Sequence, residues 1–152
     1  MKQQLQTAWN LNNQLGLTAS TERKVKLIEE VGELAQAVLS KEKTKGCEYK
    51  QSTLNDVIEE ATDVMLVSST MLNDSGETVD NVLQELATVQ NEKATATVFE
   101  QVVNLNKAVG DEKYLKAFKI AYETLVLYNV TDKRITKELD KKIQKWKKVM
   151  GV

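Results

Sequence analysis

The sequence predicts an all-α, multi-helix bundle in a single domain spanning residues 1–152, and three observations carry that prediction. Proline is absent, which suits a chain of helices. Five of the six glycines, Gly16, Gly46, Gly76, Gly110 and Gly151, punctuate the chain at its segment ends. Between them apolar residues recur at helical spacing, and no strand alternation is found. With 41% hydrophobic residues the chain has enough apolar content for a core and is not disordered by composition.

Helices are expected at 2–15, 20–42, 53–74, 77–93, 96–109, 111–128 and 132–150. The first carries Trp9 and ends at Leu15-Gly16. The second opens on Ser20 as a cap, with Glu22 in its first turn, and carries the stripe Leu27, Val31, Leu34, Ala35, Val38. Gly32 interrupts this helix at a cost of roughly 1 kcal/mol against alanine, which a close helix or ligand approach would explain. The third opens on a Thr53/Asp56 capping box and runs uncharged from Val64 to Leu72, as a buried central helix would. The Thr-rich stretch 88–98 has the poorest helical pattern. The last helix opens at Thr131-Asp132 and carries Ile135, Leu139, Ile143, Trp146 and Met150 on one side.

Other features narrow the chemistry. There is no histidine, which excludes Ser-His-Asp and Cys-His catalysis and histidine-ligated zinc. The single cysteine, Cys47, forbids an internal disulfide and fits a reducing cytoplasm. No apolar run approaches the ~20 residues of a membrane span, and MKQQLQTAWN does not read as a signal peptide. No phosphate-binding P-loop motif occurs.

Two segments thirty residues apart repeat one pattern: Ile28-Glu29-Glu30-Val31-Gly32-Glu33-Leu34 and Ile58-Glu59-Glu60-Ala61-Thr62-Asp63-Val64. At about 100° per residue, each set of three acids spans only a ~100° arc of its helix. Two such faces turned together repel unless cations sit between them. The second copy runs directly into the uncharged stretch, so Glu60 and Asp63 stand where a helix enters the core. Buried carboxylates need partners, and neither histidine nor an obvious arginine is at hand. Hard cations such as Mg²⁺ suit carboxylate oxygen, and Mg²⁺ readily shares its shell with water and phosphates. The competing reading, solvated acidic helix faces, is weakened by the duplication and by the apolar run that follows it.

These residues resemble the all-α nucleoside triphosphate pyrophosphohydrolases, that is, the MazG-like proteins with the dimeric dUTPases and phosphoribosyl-ATP pyrophosphohydrolase. The wording that carries the resemblance is Lys26-Leu27-Ile28-Glu29-Glu30-Val31-Gly32-Glu33-Leu34 and Glu59-Glu60-Ala61-Thr62-Asp63-Val64-Met65-Leu66, within residues 20–75. Residues 77–128 depart from the short pattern and read as an insertion or a degenerate second copy. The resemblance implies a four-helix catalytic core and the hydrolysis of a nucleoside triphosphate to monophosphate and pyrophosphate. It implies Glu30, Glu33, Glu60 and Asp63 as ligands of Mg²⁺, for which Mn²⁺ can substitute. Glu29 would be a further ligand or would orient water. It also implies a homodimer or homotetramer, with the uncharged third helix expected near the subunit contact.

Supporting residues have two readings each. Lys26 is a phosphate contact or an i,i+4 partner of Glu30. Lys41, Lys43, Lys45 and Lys50, with Tyr49, form a phosphate-attracting flap or a solvated loop. Lys142, at the edge of the last helix's apolar stripe, is the best-placed phosphate contact there. Trp9 is core or base contact, and Asn12 is a base contact by analogy. A second function class is a non-enzymatic helical module binding nucleotide or nucleic acid through the last helix, where residues 131–150 hold eight Lys or Arg against three acids. The net charge of −1 and the absence of a nucleic-acid motif argue against it, so no specific nucleic acid is expected.

Overall fold

The computed structural model describes residues 1–16, 20–91 and 95–152. Among these it is all-helical, with α1 (Lys2–Gln14), α2 (Thr21–Lys41), α3 (Leu54–Asp74), α4 (Val79–Asn91), α5 (Val98–Gly110), α6 (Tyr114–Leu127) and α7 (Asp132–Met150). A 3₁₀ turn at Glu48–Lys50 lies between α2 and α3. The expected caps form. The Ser20 and Thr131 hydroxyls accept from the N–H groups of Arg23 and Arg134, and Thr53 and Asp56 make the reciprocal box. Within 88–98 the described part of α4 runs to Asn91, residues 95–97 are not helical and α5 begins at Val98, while the end of the expected 77–93 helix, like Leu17, lies outside the described residues.

α3 is the centre of the molecule. It packs most extensively against α6 and α2, while α5 closes against both of those helices. α1 and α7 lie on α3 and on each other, and α4 sits on α6 and α1. Every residue of α3 from Val64 to Leu72 is buried, including Ser68, Ser69 and Thr70. Those three hydroxyls donate to carbonyls of their own helix, which satisfies them without a partner helix. This corrects the expectation that α3 lies near a subunit contact. Residues 77–128 supply its cover within one chain, because α6 lays fully buried Ala117, Phe118, Ala121 and Leu125 into the core. No helix among the described residues is long and apolar enough to cross a membrane.

Gly32 also departs from expectation. A Cβ built there meets nothing within 4 Å among the described residues, so no close approach between them accounts for it.

Candidate metal centre

α2 and α3 pack together with their acidic segments side by side. One carboxylate oxygen from each of Glu30, Glu60 and Asp63 lies within 4.8 Å of the others, a grouping that could hold a metal ion. Glu30 is the most enclosed, at 5% exposure. Its Oε1 takes an ion pair from Lys26 Nζ at 2.8 Å, but its Oε2 is buried and receives no hydrogen bond. A buried carboxylate oxygen without a donor is costly, and an all-oxygen donor set with such an orphan fits a hard divalent cation. The residues present therefore fit Mg²⁺ or Mn²⁺.

Electrostatics give the same picture. Burial raises the Glu30 carboxyl above its usual range, against the pull of Lys26. Burial likewise raises Asp63, although Lys142 Nζ donates to its Oδ2 at 2.6 Å. Glu60 is pushed up to about 7 by burial and then by Glu33 and Asp63. The unfolded chain releases this proton near the ordinary 4.5 and the folded chain only near 7. Between those values the folded state binds more protons, so stability falls as pH rises through the window. The penalty is absent below about pH 4.5 and present in full above about 7. Glu60→Gln is therefore expected to melt higher than the parent at pH 8 in EDTA, by ~1 kcal/mol after solvent screening. The gain should vanish toward pH 4, and thermal melts across that range check this. A difference independent of pH would contradict it.

The carboxylates floor a pocket of about 470 Å³ lined by Glu33, Glu59, Lys142 and Lys145 among others. A second, narrower pocket of about 160 Å³ adjoins it, and the two share Lys26, Glu30, Asp63, Trp146 and Met150. The narrow one is walled by Leu11, Val67, Trp146 and Met150, with Asn12 and Arg23 as polar groups. The cleft thus has an ionic compartment and an apolar recess.

Most of the residues singled out from sequence meet here. Glu30, Glu60 and Asp63 form the cluster, and Glu33 flanks it, outside the 4.8 Å grouping. Glu29 is exposed, 3.2 Å from Lys26, and lines neither pocket. Lys26 and Lys142 both enter the cleft, each holding a carboxylate, so the acids do have cationic partners. Lys45 is exposed and lines neither pocket. Beside that loop, Lys41 lies over the Tyr128 ring at 5.6 Å and Tyr128 donates to Glu42. Trp9 is 4% exposed, part of the core, and lines neither pocket. α1 therefore turns Asn12 and Leu11, not Trp9, toward the cleft.

Trp146 and Arg23 are among the wall residues that escaped the site reading. Trp146 lines both pockets, and its membership of the last helix's apolar stripe was the available signal. Arg23 donates to Asn12 Oδ1 at 2.6 Å and to Thr70 Oγ1, with Asp74 at 3.8 Å. That knot ties the start of α2 to α1 and α3 behind the recess, and nothing in local spacing announces it. Compared with known families, curated proteins and solved structures, the chain matches none.

Proposed function

We propose that the protein is a divalent-cation-dependent hydrolase that converts a nucleoside triphosphate, a deoxynucleotide or non-canonical one, to the monophosphate and pyrophosphate. The observation that carries the reading is the convergence of Glu30, Glu60 and Asp63 beneath a lysine-bearing cleft that continues into an apolar recess. A polyanion enters a carboxylate cluster only with cations to neutralise both, and a flat ring suits the recess beside Trp146. The resemblance of residues 20–75 to the MazG-like proteins favours this reaction over other phosphate chemistry.

Glu30, Glu60 and Asp63 would hold Mg²⁺ or Mn²⁺, with Glu33 at their flank. The bound ion supplies charge neutralisation and a lowered pKa for the attacking water. The chain has no histidine to act as base near neutral pH. Glu33 and Glu59, which line the cleft, orient the water and take up its proton in this reading, since Glu29 is exposed and lines neither pocket. Lys142 and Lys145 face the phosphates, and Asn12 faces the ring.

The test is to incubate the protein with a panel of NTPs and dNTPs and resolve the products by chromatography. Monophosphate plus pyrophosphate is expected with Mg²⁺, rising toward mildly alkaline pH as the raised carboxyls ionise. No turnover is expected in EDTA. Ca²⁺ should bind yet turn over poorly, being larger and more loosely coordinated. Diphosphate plus orthophosphate as first products, or full activity in EDTA, overturns the reading.

A further inference from the structure

The carboxylates proposed to hold the cation are already holding ammonium groups. Lys26 Nζ lies 2.8 Å from Glu30 Oε1 and 3.2 Å from Glu29 Oε2. Lys142 Nζ, reaching in from α7, lies 2.6 Å from Asp63 Oδ2. The Lys142 side chain is only 8% exposed, and an ammonium so enclosed needs its counter-charge. No lysine or arginine nitrogen among the described residues lies within 4 Å of Glu60. Three clustered carboxylates are thus offset by two lysines, the charge of one divalent ion.

We propose that Lys26 and Lys142 are exchangeable counter-ions of the carboxylate cluster. They hold Glu30 and Asp63 in the metal-free protein and pass to the substrate's phosphate oxygens when a divalent cation takes those carboxylates. The proposal rests on the metal-dependent reading above. Its logic is Coulombic. Lys142 cannot keep a 2.6 Å contact to Asp63 beside a divalent ion on the same carboxylate without strong repulsion. Both lysines line the ionic compartment together with Lys145, so a flexible stem carries each freed ammonium into the space the phosphates would fill. Lysine and metal therefore compete, while lysine and phosphate cooperate. The exchange keeps the cluster close to neutral in each state, which avoids the cost of an uncompensated acidic core.

The test uses Lys26→Met, Lys142→Met and Lys142→Arg, with Mn²⁺ calorimetry in the absence of nucleotide and thermal melts in EDTA. Each methionine variant is expected to bind Mn²⁺ about three- to tenfold more tightly than the parent. Each should also melt lower in EDTA, with the deficit shrinking at saturating Mn²⁺, and should bind the Mg²⁺ complex of tripolyphosphate more weakly. Lys142→Arg keeps the charge and should restore the EDTA melt. A lysine that is only a structural strut would leave Mn²⁺ affinity unchanged and lower the melt equally with and without metal, and that result overturns the proposal. If Lys142→Met does not fold, Lys26→Met decides, because its ammonium end is half-exposed. Failure of the parent to bind Mn²⁺ overturns the metal site and the exchange together. Tighter Mn²⁺ binding in the variants without pyrophosphate release from any nucleotide supports the exchange and overturns the proposed reaction.

Discussion

Asp63→Asn is expected to abolish pyrophosphate release, by about 10³-fold or more, and also to destabilise the metal-free protein. Asp63 contributes one of the three clustered carboxylates. An amide keeps its shape but loses the charge that a divalent ion and the neighbouring lysine both require. Charge removal in a crowded acidic site suggests relief of repulsion and a gain in stability, an expectation that sequence alone supports for Asp63 as for Glu33. At Asp63 burial raises the carboxyl and by itself favours that relief, but the lost counter-charge of Lys142 opposes it and outweighs it. Asp63 Oδ2 is the partner of a nearly buried Lys142 ammonium, and stranding that ammonium costs about 2 kcal/mol. Relief belongs to Glu60, which has no ion-pair partner within 4 Å among the described residues. Glu33→Gln should lose turnover with the helical fold intact. Circular dichroism, melts in EDTA and turnover at saturating Mg²⁺ check these together, and near-normal turnover in Asp63→Asn removes it from the site.

Phe118→Ala is expected to produce the largest loss of stability, about 3–5 kcal/mol, with a fall in Tm of roughly 10 °C or more. Phe118 is fully buried on α6, the helix that covers α3 most extensively. Truncating it leaves a cavity beside the helix that carries Glu60 and Asp63. Because α5 and α6 share one core with α2 and α3, the loss should appear in a single cooperative transition. Two separate transitions, with the α2–α3 pair outlasting α5–α6, would show that residues 77–128 are an appended unit.

The order and ends of the helices were readable because local chemistry sets them. Ser20, Thr53 with Asp56, and Thr131 cap where they stand, and Gly16, Gly46, Gly76 and Gly151 take positive φ at segment ends. The acidic cluster was readable for a related reason, since two matching patterns on packed helices bring Glu30, Glu60 and Asp63 together. What was not readable depends on distant chain. The Lys142–Asp63 pair spans 79 positions, and the edge of the apolar stripe marks Lys142 among the lysines of its helix but no periodicity encodes which carboxylate it meets. The uncharged run of α3 announces burial but not whether its cover is α6 or a second subunit. α1 buries Leu5, Ala8, Trp9, Leu11 and Asn12, so its stripe is too broad to tell that Trp9 faces the core and Asn12 the recess.

The central claim is that the carboxylates of α2 and α3 form one divalent-cation site, and a Mn²⁺ titration followed by electron paramagnetic resonance on the parent and on Glu30→Gln tests it most directly. Glu30 is the choice because its buried Oε2 receives no hydrogen bond, so the amide removes a ligand and leaves no broken donor behind at that atom. The account predicts saturable Mn²⁺ binding by the parent and its loss in a folded Glu30→Gln. Equal binding by both proteins, or none by the parent, would contradict it.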